Sequence, residues 1–314
     1  MSLLSIIIVN WNTRNLLRDC LTSIRENLRE PSLEVIVVDN GSVDDSVAMV
    51  RTEFPDAKLI ENGINLGFAK ANNVAIRQAH GRFLLLLNSD TVVRQGAIEG
   101  LLSTMEGDPA VGVAGLQLLN GDGSLQNSVG NCPSLLTELT NKSLLRRLFP
   151  ARFPGKEQLR SKPYEVESII GACMLARREA VQEVGPLDED YFFYLEETDW
   201  CLRMRKAGWK VAHDPRYSIF HLQGKSAGAA NVRARIEYWR SRYTFFGKHR
   251  GPGARAVLRV GLLMRLLADF LSMAVANGCT GFCIPRLRNK FNVYFNLLVW
   301  HMRGCPRDWG LDKT

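Results

Sequence analysis

Short apolar runs, each stopped by a cluster of polar residues, recur along the N-terminal part of the chain and set its rhythm. The run 5–9, SIIIV, breaks at Asn10, Trp11 and Asn12, and a helical pattern follows over 14–28. The run 34–38 breaks at Asp39, Asn40, Gly41 and Ser42 before a second helical stretch at 44–54. A third strand over 57–61 leads through Asn65, Leu66, Gly67 and Phe68 into a helix that reaches residue 80. The fourth run, 83–87, is uniformly large and apolar and stops at Asn88, Ser89 and Asp90. Continuous apolar runs of this kind are strands buried on both faces, and strands alternating with helices predict an α/β fold with a mainly parallel, doubly wound sheet. Ligands of such sheets bind beyond the carboxyl ends of the strands, so Asn10, Asp39, Asn65 and Asp90 are expected at one edge. A carboxylate delivered there can hold a hard cation against a substrate phosphate, which makes Asp90 a candidate metal ligand. The competing account is a simple cap on the turn that follows.

A helix over 95–105 and a strand over 111–116 continue the pattern. Residues 120–162 then become rich in Gly, Ser, Asn, Pro and Arg and read as a long, partly mobile excursion on the acceptor side. Regular structure resumes over 167–176, where Gly171 and Ala172 permit close approach of a ligand or another backbone, and a helix follows at 177–184. The densest chemistry lies in 187–209, where Glu196, Glu197 and Asp199 stand beside the apolar stretch 191–195 at the start of a helix expected over 198–207. Capping and an i,i+4 pair of Asp199 with Arg203 account for one acid, not for three. Crowded carboxylates next to aromatics raise one another's pKa and suit general-base work on a hydroxyl. A last strand over 217–220 ends at His221, a residue type that serves as switch, base or ligand, before the Gly-containing stretch 222–228.

Composition narrows the class. A chain of 314 residues, 46% hydrophobic and 23% charged, is globular rather than disordered. No GxGxxG or GxxxxGK[ST] follows any strand, which removes the main support for hydride transfer and for nucleotide hydrolysis. Seven cysteines without zinc-type CxxC pairs suggest reduced thiols in a cytosolic protein, and no basic leader or cleavage signal precedes the first strand. The net charge of +8 is concentrated late: from Arg233 onward 15 Lys and Arg face 4 Asp and Glu. Within that quarter, 257–276 is apolar but interrupted by charge, so a transmembrane span is disfavoured. At about 100° per residue, Arg255, Arg259, Arg265, Asp269 and Ser272 gather in an arc of roughly 140° that also contains Leu262. The opposite face is apolar, and a second apolar stretch, 291–302, is flanked by Arg286, Arg288, Lys290 and Arg303. This pattern fits a helix lying on an anionic membrane surface or packed in a core. Nucleic acid is not an expected partner, because the arginines alternate with Leu and Val and no reader motif is present.

The stretches SIIIVNWN, VIVVDNGSVDDS, NLGFAKANN, LLLLNSD, GACMLARREA, FFYLEETDWCLRMRKAGW and HLQGKS, in this order over 5–228, resemble family 2 glycosyltransferases of the GT-A type and, within them, the bacterial rhamnosyltransferase group. The resemblance implies a GT-A nucleotide-sugar-binding domain over 1–230, with 120–165 a variable acceptor-side excursion, and a basic, apolar helical region over 231–314. It further implies that Asp39 holds the nucleotide base and that Asn10 and Trp11 line the base and ribose pocket. Asn40, Ser42, Asn65, Gly67, Asn72, Asn88 and Ser89 complete the donor side, and Gly171 and Ala172 face the acceptor. Asp90 and His221 would hold Mg2+ or Mn2+, and Glu197 would be the base. Glu197 stands where many relatives carry Asp, so Glu196 and Asp199 stay candidates for that role, and Asn-Ser-Asp supplies one carboxylate where others have two. The implied reaction is metal-assisted, inverting transfer of a sugar, rhamnose from dTDP-rhamnose, from a nucleoside-diphosphate sugar donor to a glycan or polyprenyl-linked acceptor. Such an enzyme would be cytoplasmic and peripheral on the inner face of the plasma membrane. A sugar nucleotidyltransferase or a catalytically silent nucleotide-sugar-binding subunit is the alternative.

Overall fold

The computed structural model describes residues 3–28, 33–149, 160–222 and 232–311. The N-terminal part runs β1 (Leu4–Asn10), α1 (Arg14–Asn27), β2 (Leu33–Asp39), α2 (Ser46–Glu53), β3 (Lys58–Glu61), α3 (Phe68–Ile76), β4 (Phe83–Asn88), β5 (Thr91–Val92), α4 (Ala97–Gly107) and β6 (Val111–Leu119). The middle of the chain adds β7 (Val129–Gly130), α5 (Leu135–Leu139), α6 (Lys142–Leu148), β8 (Tyr164–Glu165), β9 (Ser168–Ile169), β10 (Cys173–Arg177), α7 (Arg178–Val184), α8 (Glu196–Lys206) and β11 (Lys210–His221). Three long helices close the chain: α9 (Val232–His249), α10 (Gly251–Cys279) and α11 (Pro285–Met302). These elements form two units, one of Met1–Cys132, Gly155–Glu189 and Glu196–Ser226, the other of Pro133–Pro154, Asp190–Leu195 and Ala227–Thr314.

The first unit is built on a sheet of order β3-β2-β1-β4-β10-β6-β11-β5, with β8 also paired to β11. Strands β1 to β4 run parallel to one another, and so do β6 and β11. Only β10, β5 and β8 pair antiparallel with their neighbours, so the sheet is mainly parallel, as the apolar runs predict. Both faces are covered. Ile6, Ile8, Leu85 and Leu87 face Leu17, Leu21, Ile24, Ile98 and Leu101 of α1 and α4, whereas Ile7, Leu84 and Leu86 face Ala71 and Ala75 of α3 and Trp200 and Met204 of α8. This two-sided burial is why the strands read as unbroken apolar runs rather than as alternation. Truncating one such side chain, Leu85→Ala, should cost about 2–5 kcal/mol through lost burial and the cavity left behind.

Several boundaries differ from the sequence reading: α3 stops at Ile76 instead of reaching residue 80, β6 runs on to Leu119, and three further differences reshape the sheet and the excursion. The strand expected over 217–220 is the second half of β11, because Asp214-Pro215-Arg216 forms an irregularity inside one long strand instead of a turn. Proline has no N–H for the ladder, so the register shifts between Asp214 and Ser218. The segment 167–176 is split: β9 pairs with β7, the chain turns at Gly171–Ala172, and β10 enters the main sheet antiparallel to β4. The excursion over 120–162 contains β7, α5 and α6, while residues 150–159 of it lie outside the described residues.

In the helical unit, α10 begins after Arg250 with Gly251 at φ +81° and Pro252 in its first turn, a combination that ends α9 and starts a new helix. Leu258, Leu262 and Leu266, spaced i,i+4,i+8, are the buried apolar stripe of α10. Leu258, Leu262 and Leu266 all fall inside the arc of Arg255, Arg259, Arg265, Asp269 and Ser272, so the side of α10 expected to be polar carries the buried stripe, with Leu262, 2% exposed, at its centre. Val257, Val260, Met264, Leu267, Leu271 and Val275 are exposed. They occupy an arc of about 80° on the opposite side of the helix. Among the described residues no helix is long and apolar enough to cross a membrane.

Candidate active site

Because β1 and β2 pair in register, Asn10 and Asp39 end side by side. The Asn10 side chain is buried; its amide donates to Asp39 Oδ1 at 3.2 Å and to Ser42 Oγ at 3.0 Å, and its carbonyl accepts from Thr13 Oγ1 at 2.6 Å. Ser42 N–H donates to Asp39 Oδ2 at 2.9 Å. Each Asp39 oxygen thus has one partner here, and an ionised carboxylate accepts more, so Asp39 keeps capacity for a donor group of a ligand. The turn that makes this possible needs glycine: Gly41 has φ +80°, and a Cβ there would come within 2.9 Å of the Ile64 backbone.

Asn40, Asn65 and Gly67 form the support beneath. Asn40 Nδ2 donates to Asn65 Oδ1 at 2.8 Å, and its Oδ1 accepts from Asn62 Nδ2 at 3.1 Å and Leu66 N–H at 3.0 Å. Asn65 Oδ1 also accepts the Gly67 N–H at 3.0 Å. Asn72 is buried and spends its amide on Phe68 O, 2.9 Å away, one turn earlier in α3. Trp11 is half-buried in the β1–α1 loop, whose shape is fixed by Asn12 (φ 53°) accepting from Val43 N–H at 2.8 Å.

The end of β4 carries the second group. Thr13 gives its own proton to Asn10, so Ser89 Oγ donates to Thr13 Oγ1 at 2.9 Å, which links the β1 and β4 loops. Asp90 Oδ1 lies 3.3 Å from His221 Nε2, both side chains only about an eighth exposed (13% and 12%). They meet because the last residues of β11 pair with β5, His221 opposite Thr91. Gln126 fixes the ring. Its Nε2 donates to His221 O at 3.1 Å and to Asn120 Oδ1 at 2.9 Å, so its Oε1, 2.6 Å from His221 Nδ1, accepts a proton from that nitrogen. The remaining nitrogen, Nε2, therefore faces the Asp90 carboxylate, with Asn88 Nδ2 at 3.5 Å. Nitrogen and carboxylate aimed at one point suit a divalent cation. Among the described residues no group of three or more His, Cys, Asp and Glu is arranged to hold a metal, so the other ligands would be substrate oxygens and water. Burial pushes the nearby Cys20 thiol up to about 12, so it is not a competing ligand.

The three acids of α8 occupy different environments. Asp199 is buried and accepts from Arg203 Nε at 2.7 Å; Arg203 in turn holds Val184 O and Pro186 O at 3.1 and 2.8 Å. Glu196 is also buried. Glu197 is half-exposed, accepts from Thr198 Oγ1 at 3.2 Å, and packs its Cβ and Cγ beside Gly171, where an added Cβ would sit 3.6 and 3.7 Å from them. The adjacent Ala172 O accepts the Asn88 N–H at 3.0 Å, which brings the Gly171 turn to the end of β4. Thr13 and Gln126 join the site without having been candidates from the sequence. Thr13 was legible as a polar residue after the NWN triplet, but Gln126 lies in an irregular stretch where nothing marks it. Residues 223–231, including the GKSAG stretch, lie outside the described residues.

The family profile described as Glycosyl transferase family 2 matches residues 5–185, more than half of the chain. The chain belongs to glycosyl transferase family 2. Within curated family 2 relatives, it is 29% identical over 246 residues to the N-acetylglucosaminyl-diphospho-decaprenol L-rhamnosyltransferase of Mycobacterium tuberculosis, covering 73% of this chain and 80% of the relative. It is 28% identical over 224 residues to a low-salt glycan biosynthesis hexosyltransferase of Haloferax volcanii, covering 70% and 67%. In fold it is similar to the mannosyltransferase of Pyrobaculum calidifontis solved in complex with GDP-Man and Mn2+, with a TM-score of 0.57, 16% identity, and coverage of 99% of this chain and 88% of that one. Family and fold together identify a glycosyltransferase.

Proposed function

We propose that this glycosyltransferase is an inverting, divalent-cation-assisted enzyme that transfers rhamnose from dTDP-rhamnose to a hydroxyl of a polyprenyl-linked glycan. The observation that carries the reading is the Asp90–His221 pair, 3.3 Å apart at neighbouring strand ends, with Asn10 and Asp39 joined beside the same β1–β4 edge. The rhamnosyltransferase among its relatives supports the choice of donor and acceptor class.

In this reading Asp39 takes donor groups of the nucleotide base, and Asn10 and Trp11 line the base and ribose. Asn40, Ser42, Asn65, Gly67 and Ser89 hold the donor loops, while Asn72 acts from within α3. Asp90 and His221, with Asn88 beside them, would hold Mg2+ or Mn2+, and Gln126 fixes the His221 ring with Nε2 toward Asp90. When bound, the cation stabilises charge developing on the leaving diphosphate. Glu197, the acid of α8 that combines partial exposure with a place beside Gly171 and Ala172, takes the proton of the acceptor hydroxyl. The oxygen attacks the anomeric carbon from the face opposite the leaving nucleoside diphosphate, so the configuration inverts. Glu196 and Asp199, both buried, hold the start of α8 in place. Positioning of acceptor and donor supplies much of the remaining acceleration.

The exposed apolar ridge of α10 and the +11 charge of residues 233–314 support a peripheral seat on the inner, anionic face of the cytoplasmic membrane, within reach of a polyprenyl-linked acceptor. The test is titration with a panel of nucleoside diphosphates and nucleotide sugars with Mn2+ or with chelator, followed by product analysis. Thymidine diphosphate should bind tightest, at least tenfold better with Mn2+, and dTDP-rhamnose should be turned over with inversion. Preference for another nucleotide would refute the donor, and metal-independent binding and turnover would refute the cation's role.

A further inference from the structure

The helical unit holds a cavity of about 700 Å³ walled by α9, α10 and α11. That size is within the range of small-molecule sites. It shares no residue with the strand-end site. Arg235, Arg242, Arg265, Arg286 and Lys290 line it against the single carboxylate of Asp269. Among the described residues, Arg235, Arg265, Arg286 and Lys290 make no side-chain hydrogen bond or ion pair, and all four are exposed at the mouth. Even Arg265 and Asp269, one turn apart on α10, form no ion pair.

Arg242 lies deeper and is 7% exposed. Its guanidinium stacks over Trp239 at 4.6 Å and Tyr238 at 4.8 Å, which fixes its plane, and Nη1 reaches Glu138 Oε2 at 3.3 Å. Its Nε is buried and makes no hydrogen bond. A buried guanidinium N–H without an acceptor is costly, and four unpaired cations at one mouth repel each other. A multiply charged anion relieves both, and guanidinium groups match phosphate oxygens in charge and geometry. Leu262, Leu266, Val293 and Leu297 give the same cavity an apolar side.

We propose that this cavity is a binding site for a phosphate or diphosphate ester attached to an apolar chain, held by Arg242, Arg286 and Lys290. The source is a lipid headgroup or a free phosphate ester, and the chemistry of recognition is the same for both. The experiment is calorimetric titration of the full chain, in chelator, with inorganic diphosphate. Binding should be saturable, should weaken about 100-fold in Arg286→Gln/Lys290→Gln because each of the two charge-assisted bonds contributes about tenfold in affinity, and should be unchanged in Arg288→Gln/Arg303→Gln, which removes the same charge from α11 and its end outside the cavity. Asp90→Ala should also bind normally. Displacement of diphosphate by phosphatidylglycerol vesicles but not by phosphatidylcholine vesicles assigns the headgroup as the source, and no displacement by either assigns the free ester. Absence of saturable binding, an equal loss in the Arg288/Arg303 control, or loss in Asp90→Ala would overturn the proposal.

Discussion

Two acids two residues apart on α8 should fail in opposite ways when neutralised. Glu197→Gln keeps the size of a half-exposed side chain whose described bond, from Thr198 Oγ1, a glutamine oxygen still accepts. Stability should therefore change by no more than about 0.5 kcal/mol. If Glu197 is the base, turnover should fall by a factor on the order of 100, about 2.7 kcal/mol of transition-state stabilisation, with donor affinity little changed. Asp199→Asn reaches a different element of the structure. The Asp199 side chain is 1% exposed and meets Arg203 Nε at 2.7 Å. Removing one partner of a buried pair costs about 3–5 kcal/mol. Arg203 is 23% exposed and keeps two carbonyl acceptors, so the lower end, about 3 kcal/mol, applies. In a chain of this size that lowers Tm by roughly 6–12 °C. The assay is a thermal melt of each variant beside steady-state kinetics and donor titration at a temperature where both are folded. Near wild-type turnover in Glu197→Gln would refute its role, and an Asp199→Asn variant with unchanged Tm but a hundredfold lower kcat would move the base there.

Further outcomes follow from the same geometry. Asp90→Ala should abolish transfer with circular dichroism unchanged, and His221→Ala should impair it less; near wild-type turnover of Asp90→Ala with Mg2+ or Mn2+ present would refute the metal assignment. Gln126→Leu removes the described acceptor of His221 Nδ1 and should weaken Mn2+ binding by about 10–100-fold while leaving metal-free donor binding intact, checked by calorimetry. On vesicles, the full chain should float with anionic lipid at low salt and be released at high salt. Met264→Glu/Leu271→Glu should abolish flotation, and continued flotation of that variant would exclude the exposed ridge of α10 as the contact.

The sequence carried the sheet and the strand-end residues because burial on both faces leaves an unmistakable apolar signature, and because each run ends in polar residues that must lie at one edge once the strands are parallel. It could not show which of the crowded acids is buried. That depends on Arg203 pairing with Asp199 within α8 and on the Gly171 turn reaching Glu197, a turn at 171–172 inside what the sequence presents as one continuous segment. Gln126 was hidden for the same reason: its role arises from β11 returning His221 beside β5, and nothing local marks it. The helical unit shows a different limit. Periodicity separates the polar from the apolar face of α10 but says nothing about which of them is covered, and here Leu258, Leu262 and Leu266 take the inner position while the broader apolar face is left outward.

A last expectation concerns acid. His213 in β11 is buried, and neither ring nitrogen makes a hydrogen bond of good geometry; its nearest described ring contact is the edge of Tyr164, 5.3 Å between centroids. Burial lowers its pKa to about 4, against the partial opposition of the neighbouring Asp214 carboxylate. An unfolded histidine takes its proton near pH 6.5, so below that pH the unfolded chain binds more protons than the folded one. Stability is therefore full above about pH 6.5 and is lost as pH falls toward about 4, by about 3 kcal/mol in total. Asp214 acts in a lower window. Burial alone would raise its pKa, but bonds from Arg216 and Thr104 hold the carboxyl below its usual range, so its contribution is lost only once the pH drops beneath that of an ordinary aspartate. His301, in the helical unit, is shifted down by burial as well and adds to the slope of that unit. Replacing His213 by Phe removes the titrating group while keeping a flat ring beside Tyr164. Urea unfolding followed from pH 7 to pH 4.5 should show a shallower loss in His213→Phe than in the wild type. An undiminished slope in the variant would mean that His213 takes up its proton in the folded protein at an ordinary pH, and would refute its share in the acid sensitivity.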